Sequence, residues 1–215
     1  MSIAKNGDIY FTDATAIRPY WDGEKWEVLK GSLIDIGSQN PTGRVLKYSP
    51  KTKKTEVILK NIQFANGIAL SKDEDYFLVA ETGKYKILKY WLKGEKKGKT
   101  ELFAICSGFC DNISISKDGK SYWVGIPTMR NDFYDTIHNI PILKKLILSL
   151  PEGWVALPPD NGLVVQYDEN GNTLQILHDS KGNTIRNINS ANEHNGKLYL
   201  GNVKSHKFGI YDLKK

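Results

Sequence analysis

Residues 67–104 read GIALSKDEDYFLVAETGKYKILKYWLKGEKKGKTELFA, and this stretch contains the pattern that decides the fold. It holds four short runs, each either apolar or alternating between apolar and polar residues: Gly67–Ser71, Tyr76–Glu81, Lys86–Leu92 and Thr100–Ala104. Runs of this length, separated by residues that favour turns, are typical of β-strands joined in chain order. The stretch therefore predicts one four-stranded antiparallel sheet.

Parts of the same pattern recur along the whole chain. An aromatic strand follows a turn at residues 7–13, 73–79, 118–124 and 195–201. A second strand follows each of them, at residues 44–48, 87–90, 163–168 and 208–212. A β-sandwich would not repeat the same order of strands, whereas a β-propeller repeats it once per blade. We predict an all-β fold with a single propeller domain over residues 1–215, in which Tyr10, Tyr76, Tyr122 and Tyr199 pack between blades.

The number of strands is incomplete at both ends of the repeat. Few residues precede Asp8, so we expect the first copy to lack its innermost strand. The sequence stops soon after Tyr211, so we expect the last copy to lack its outermost strand. These two expectations suggest roughly the four C-terminal blades of a larger propeller. Two insertions, at about residues 14–42 and 127–160, interrupt the first and third copies.

The second insertion contains an apolar stripe at helical spacing. Its members are Phe133, Ile137, Ile140, Leu143, Leu146, Ile147 and Leu150. A stripe of this kind predicts an amphipathic helix, which ordinarily packs on a protein core. We therefore expect residues 133–150 to pack on the tops of the blades. A lid over the propeller face and contact with a membrane surface are the alternatives.

The charge balance excludes some classes of partner. There are 30 Lys and Arg residues against 24 Asp and Glu residues, a net charge of +6. This excess is too small to indicate nucleic-acid binding, and no apolar run is long enough for a transmembrane helix. Seven lysines lie between Lys84 and Lys99 with a single acid, Glu95. We interpret them as a solvated hairpin whose lysines protect a strand edge, with a surface for an anionic partner as the alternative.

Two cysteines, Cys106 and Cys110, are separated by three residues. No histidine or further cysteine lies nearby to complete a zinc site. The spacing allows either two free thiols or a local disulfide.

Polar residues stand where the strands that line a propeller channel would begin. Asn66 precedes one apolar strand and the pair Asp111-Asn112 precedes another, while Asp13 ends a strand of the first copy. Amide and carboxylate oxygens from separate strands form sites for hard cations, most naturally calcium. Asn and Asp are also common in turns, which is the structural alternative for these positions.

Several segments resemble the strictosidine synthase-like proteins, a group that includes the adipocyte plasma membrane-associated protein. They are FANGIALS at 64–71, ETG at 81–83, KYWLKG at 89–94, DNI at 111–113 and EHNGKLYLG at 193–201. The resemblance extends over nearly the whole chain. It implies a six-bladed propeller related to the paraoxonases and gluconolactonases, which hold calcium in the channel.

The resemblance also implies roles for individual residues. Asn66, Asp111 and Asn112 match calcium ligands of the paraoxonases, and Asp13 stands where those proteins have a ligand asparagine. A further ligand, a glutamate from an early blade, has no counterpart in this sequence. Asn189 occupies the position of the glutamate with which true synthases exchange protons, and an amide cannot do so near neutral pH.

These observations together predict a function and a location. We expect a calcium-dependent hydrolase of the esterase or arylesterase kind, acting on a small molecule that the sequence does not identify. A non-catalytic binding or scaffold propeller of the endomembrane system is the first alternative. An enzyme that condenses an amine with an aldehyde is the second. The resemblance implies an endomembrane, vacuolar or secreted protein.

Overall fold

The structure is a computed structural model, and it describes residues 1–18, 20–21, 23–24, 26–132, 135–136, 140, 142–143, 146–147, 160–203 and 205–213. The first sheet begins with β1 (Ser2–Ile3) and β2 (Ile9–Asp13). The first insertion follows and contains β3 (Tyr20–Trp21), β4 (Trp26–Glu27) and α1 (Val28–Ser38). Strands β5 (Gly43–Ser49) and β6 (Lys54–Ile62) complete the sheet in the order β1-β2-β5-β6.

Strand β1 corrects one prediction, because the first copy does have an innermost strand. Ser2 lies opposite Tyr10, and Ile3 lies opposite Ile9. The chain reverses within a few residues, since the nitrogen of Ala4 donates to the carbonyl oxygen of Asp8 at 2.8 Å. A strand of two residues is too short to show an alternating pattern in the sequence.

The second sheet consists of β7 (Ala65–Leu70), β8 (Tyr76–Glu81), β9 (Lys86–Trp91) and β10 (Thr100–Ile105). The third consists of β11 (Ile113–Ile115), β12 (Ser121–Gly125), β13 (Gly162–Asp168) and β14 (Thr173–Asp179). Within the described residues the fourth has three strands, β15 (Ile188–His194), β16 (Lys197–Asn202) and β17 (Gly209–Asp212). The antiparallel repeat predicted from the sequence is confirmed. Residues 14–42 separate β2 from β5, and residues 127–160 fall between β12 and β13.

The sheets are arranged side by side like the blades of a propeller. The nitrogen of Gly67, in β7, donates to the carbonyl oxygen of Asp111 at 3.1 Å. The nitrogen of Asn112, just before β11, donates to the carbonyl oxygen of Asn189 in β15 at 3.0 Å. These bonds join the inner strands of the second, third and fourth sheets, which we call blades 2, 3 and 4. The chain therefore forms four blades of a propeller-type arrangement, with blade 1 formed by the first sheet.

The apolar core lies between the blades. Separate buried clusters fill the spaces between blades 1 and 2, 2 and 3, and 3 and 4. Tyr10, Tyr76 and Tyr122 are buried in the first two clusters, as predicted for aromatic residues between blades. Tyr199, in β16 of the fourth sheet, is only partly buried. The centre of its ring lies 6.5 Å from the ring centre of Phe208, which comes just before β17 of the same sheet. Burial of these large side chains is the main force that holds the sheets together.

The lysine-rich segment is largely paired within the protein. Lys84 and Lys86 form ion pairs with the buried carboxylate of Glu81 at 3.3 and 3.1 Å. Two further ion pairs and one aromatic contact follow along the same hairpin: Lys93 with Asp75, Lys96 with Glu101, and Lys89 over the ring of Tyr76. This pairing supports the interpretation of a hairpin edge rather than a surface for an anionic partner.

The helix predicted over Phe133–Leu150 falls mostly outside the described residues, including Phe133, Ile137 and Leu150 themselves. Of the other stripe members, Ile140 and Leu146 are exposed. Leu143 and Ile147 are partly buried. Across the stretches of chain that the structure describes, no helix combines the length and apolar character needed to cross a membrane.

Candidate functional site

Three polar residues occupy equivalent positions at the start of the inner strands of blades 2, 3 and 4. They are Asn66, Asp111 and Asn189. The equivalence follows from the hydrogen bonds between blades, in which Gly67 pairs with Asp111 and Asn112 pairs with Asn189. In each pair the donating residue comes directly after one of the equivalent residues. Gly67 follows Asn66, and Asn112 follows Asp111. We call Asn66, Asp111, Asn112 and Asn189 the axial cluster.

Side-chain hydrogen bonds converge on Asp111. The side-chain Nδ2 of Asn112 donates to Oδ1 of Asp111 at 3.1 Å and to the carbonyl oxygen of Asn189, also at 3.1 Å. The side chain of Asn66 forms a hydrogen bond with the carboxyl group of Asp111 from blade 2. Asp111 therefore lies between an amide of its own blade and an amide of the preceding blade.

The close approach of the backbones explains why glycine stands at position 67. A Cβ atom on Gly67 would lie 2.5 Å from the Cα of Asn112 and 2.5 Å from the carbonyl oxygen of Asp111. Real Cβ atoms do not come so close to backbone atoms, so the neighbouring blade would have to shift. The small residue allows the inner strands to approach closely enough for the amide and carboxyl groups to meet.

Burial changes the electrostatics of the site. It raises the pKa of Asp111 from 3.8 to about 7, because the carboxylate loses hydrating water, and the hydrogen bond from Asn66 opposes this shift. No ion pair of Asp111 occurs among the described residues. A cation bound here would offset the cost of burying the negative charge.

The chemistry of the cluster fits a hard cation. Two amide oxygens, one carboxylate and nearby backbone carbonyl groups are the ligand types that calcium takes. Within the described part of the chain, no three His, Cys, Asp or Glu residues form a group that could hold a metal ion. A cation at the axial cluster would therefore depend on the amide oxygens of Asn66 and Asn112 as well as on the carboxylate.

Asp13 has a different environment from the other three predicted ligands. Its carboxylate accepts a hydrogen bond from Nε of Arg44 at 2.8 Å, and both side chains are substantially exposed. The register of β2 and β5 places these two residues directly opposite each other. The next residue, Ala14, accepts a hydrogen bond from Ala65 of blade 2. Asp13 thus lies near the contact between blades 1 and 2, with its charge paired to Arg44.

Two further residues, Asn189 and Asp35, were not predicted from the sequence to take part in a site or in a structural contact. The sequence pointed to Asn189 only as the replacement for a synthase glutamate, although it is the second residue of an inner strand, as Asn66 is. Asp35, in α1, is fully buried and accepts a hydrogen bond from the hydroxyl group of Thr15 at 2.6 Å. Its neighbour Ile36 accepts a bond from the side-chain amide of Gln63 at 3.1 Å. These contacts anchor the first insertion beside blade 2.

Comparison with known sequences gives consistent matches. Residues 1–95 match the strictosidine synthase family. The chain is 36% identical over 224 residues to Protein strictosidine synthase-like 3 of Arabidopsis thaliana, covering 99% of this chain and 54% of that protein. It is 33% identical over 213 residues to the adipocyte plasma membrane-associated protein of Rattus norvegicus, covering 95% of this chain and 54% of that protein. The chain therefore spans about half the length of these curated relatives.

Solved structures support the fold. A gluconolactonase from Xanthomonas campestris matches with a TM-score of 0.55 and 16% identity, covering 93% of this chain and 52% of that one. A regucalcin from Agrobacterium tumefaciens matches with a TM-score of 0.50 and 14% identity, covering 78% of this chain and 46% of that one. At these identities the likeness concerns the fold alone, and it confirms the partial β-propeller. By sequence and fold, the chain is a propeller-type relative of the strictosidine synthase-like and adipocyte plasma membrane-associated proteins.

Proposed function

We propose that the axial cluster binds a calcium ion and that the whole protein is a calcium-dependent hydrolase of esters or lactones. One observation carries the proposal: amide and carboxyl groups from blades 2 and 3 converge on the partly buried Asp111, beside the start of blade 4. Oxygen-bearing side chains from separate strands form the kind of site that a flexible, oxygen-preferring cation occupies.

The residues of the cluster have distinct roles in this proposal. Asp111 supplies the negative charge, while Asn66 and Asn112 supply neutral amide oxygens. In the structure the Nδ2 atom of Asn112 faces Asp111, so this amide turns to present its oxygen when a cation is bound. Asp13, paired with Arg44, would orient groups at the edge of the site. Bound calcium would polarise a substrate carbonyl group and stabilise the negative charge that develops on its oxygen.

The names of structural neighbours agree with this reaction class. One neighbour is described as a gluconolactonase and another as the calcium-binding protein regucalcin. A lactone is an internal ester, so a lactonase and an esterase face the same chemical problem at the carbonyl group. The neighbours support the proposal as analogies, and the contacts around Asp111 provide its independent basis.

Asn189 argues against the condensation of an amine with an aldehyde. That reaction needs a group that takes up and releases a proton near neutral pH, and the amide of Asn189 does neither. A non-catalytic propeller that binds a ligand through the same cluster is the remaining alternative.

The first experiment measures calcium binding to the full-length protein by calorimetry. We expect the double variant Asn66→Ala/Asn112→Ala to bind calcium roughly tenfold or more weakly than wild type, because it loses two oxygen ligands. The variant Asn170→Ala/Asn192→Ala is the matched control, since both residues are exposed. Unchanged affinity in the Asn66/Asn112 double variant would contradict the site.

A second experiment separates binding from catalysis. Aryl esters and lactones are offered to the wild-type protein with calcium and then with a chelator. Turnover that disappears on chelation and is weak in Asn66→Ala/Asn112→Ala is the expected result. Calcium binding without turnover of any substrate would reject the hydrolase and favour the binding propeller.

A further inference from the structure

The carboxyl group of Asp35 is buried between the two ends of the first insertion. Asp35 lies in α1, and its relative exposure is 0%. Its Oδ1 atom accepts hydrogen bonds from the hydroxyl groups of Thr15, at 2.6 Å, and Thr42, at 3.4 Å. Its Oδ2 atom is also buried and has no hydrogen-bond partner among the residues that the structure describes. This atom needs an explanation, because nearly all buried polar atoms in proteins are paired.

The carboxylate of Asp35 also lacks a counter-charge. Within the described parts of the chain, no ion pair includes it. Burial raises the pKa of this carboxyl group because the charged form loses hydrating water. Protonation would turn Oδ2 into a hydrogen-bond donor, and the described residues offer that atom no acceptor. A cation beside Oδ2 would both neutralise the charge and pair the oxygen.

The two threonine hydroxyl groups can serve as further ligands. Each of them accepts one backbone hydrogen bond at 2.9 Å, Thr15 from the nitrogen of Ile17 and Thr42 from the nitrogen of Ala16. Each also donates its proton to Asp35. A hydroxyl oxygen has two acceptor positions, so each threonine can contact a cation without giving up these bonds.

The separations between the oxygen atoms fit a single ion. The two hydroxyl oxygens are 3.5 Å apart, and that of Thr42 is 3.4 Å from Oδ1 of Asp35. An oxygen ligand lies about 2.4 Å from a cation of the size of calcium or sodium, so adjacent ligands of an octahedral shell are about 3.4 Å apart. The third separation, between Thr15 and Asp35, is that of a short hydrogen bond. One ion can therefore contact all three side chains.

We propose that Asp35, Thr15 and Thr42 bind a sodium ion. One carboxylate and two neutral hydroxyl groups carry a single negative charge, which one monovalent cation balances. Calcium would leave an excess positive charge in a buried position, which is unfavourable. Oxygen ligands of this kind suit hard cations rather than the softer transition metals.

The ion would hold the two ends of the first insertion together. Thr15 lies next to the start of the insertion and Thr42 is its last residue, while α1 lies between them in the chain. Ile36, next to Asp35, accepts a hydrogen bond from the side chain of Gln63 at 3.1 Å, which ties the same helix to the junction of blades 1 and 2. This inference concerns residues outside the axial cluster and stands whether or not that cluster binds calcium.

The test measures thermal unfolding of the whole chain in the presence of a sodium-free chelator, which removes calcium. Sodium chloride replaces choline chloride at constant ionic strength, so that only the cation changes. We expect the melting temperature of the wild type to rise by about 3–6 °C when sodium is roughly tenfold above the midpoint of the response. Asp35→Asn keeps the shape of the side chain and an accepting oxygen but loses the charge, and it should abolish the rise.

Further variants separate this site from other causes. Thr42→Val removes one ligand and should move the midpoint to roughly tenfold higher sodium, whereas Thr42→Ser should restore it. This pair keeps the proposal testable if Asp35→Asn does not fold. Asp111→Asn, in the axial cluster, and Asp73→Asn, at an exposed position, should retain the full rise.

A second readout is local to the first insertion. Sodium should slow proteolysis within residues 14–42 severalfold in the wild type and leave it unchanged in Asp35→Asn. The absence of a rise in the wild type, an equal rise in Asp35→Asn, or loss of the rise in Asp111→Asn would overturn the inference.

Discussion

The backbone nitrogen of Asn112 donates to the carbonyl oxygen of Asn189 at 3.0 Å, and the side-chain Nδ2 of Asn112 donates to the same oxygen at 3.1 Å. One residue of blade 3 thus holds one carbonyl group of blade 4 with two hydrogen bonds. The same Nδ2 atom also contacts the carboxyl group of Asp111. The amide of Asn112 is therefore both a contact between blades and a neighbour of the partly buried carboxyl group of Asp111.

Replacing Asn112 with aspartate tests this double role. Asn112→Asp removes the Nδ2 donor and places a second carboxylate beside Asp111. We expect a loss of about 1–3 kcal/mol in the free energy of unfolding at pH 8 with chelator present. The loss should be smaller at pH 5, where one proton can be shared, and calcium should restore part of it. Urea denaturation measures these values, with the exposed Asn192→Asp as control, and equal losses in both variants would contradict the prediction.

Asp111 predicts a dependence of stability on pH. Its pKa in the folded protein, about 7, is above the ordinary value of 3.8, so the folded state holds the proton more tightly than the unfolded state. The resulting stability is fully present below about pH 4 and is lost as the pH rises through 7. With a chelator present, we expect wild type to lose about 2–4 kcal/mol over this range from this group.

Asp111→Asn should remove most of that pH-dependent loss, because an amide does not titrate. Denaturation with urea at several pH values measures the slope. The exposed carboxyl group of Asp73 provides the control, as Asp73→Asn should leave the slope unchanged. A slope in Asp111→Asn as steep as in wild type would show that other groups cause it.

Asp35 is expected to fix the first insertion. Its carboxyl group accepts hydrogen bonds from the hydroxyl groups of Thr15 at 2.6 Å and Thr42 at 3.4 Å. Asp35→Ala leaves both hydroxyl groups without this partner and should cost about 1–3 kcal/mol, whereas Asp35→Asn retains an accepting oxygen and should cost less. Thermal denaturation, together with the rate of proteolysis within residues 14–42, measures the effect. Equal losses for both variants would contradict a role for the accepting oxygen.

Lys89 is expected to stabilise the contact between blades 2 and 3. Its ammonium group lies 4.3 Å from the centre of the Tyr76 ring and donates to the carbonyl oxygen of Glu169 at 2.9 Å. Lys89→Ala should lower the free energy of unfolding by about 1–2 kcal/mol, because the cation–π contact and the hydrogen bond are both lost. Lys97→Ala, at an exposed position of the same hairpin, should change stability little. Similar melting temperatures for the two variants would refute the role of Lys89.

The sequence predicted those parts of the fold that repeat, and missed those that do not. The aromatic strand around Tyr76 and its equivalents stood out because their alternation continues over several residues. Strand β1 was too short to show a pattern, and α1 contains Gly31 and Gly37, which are unfavourable inside a helix.

The sequence predicted most residues of the candidate site but not how they are arranged in space. Asn66, Asp111 and Asn112 were identified, since each stands at the start of an apolar run in the sequence. Asn189 could be assigned to the axial cluster only from the hydrogen bond that Asn112 of blade 3 donates to its carbonyl oxygen in blade 4. The pairing of Asp13 with Arg44 depends on the register of β2 and β5, which local sequence patterns do not specify.

The assembly of the axial cluster from three separate sheets links ion binding to folding. Asp111 and Asn112 are neighbours in sequence, but Asn66 and Asn189 reach them only when blades 2, 3 and 4 stand together. An ion that binds this arrangement binds the native state and not the unfolded chain, so its binding energy adds to the cooperativity of unfolding. Ion affinity would then report on whether the sheets are correctly assembled, and a variant that loosens any one blade would weaken it from a distance.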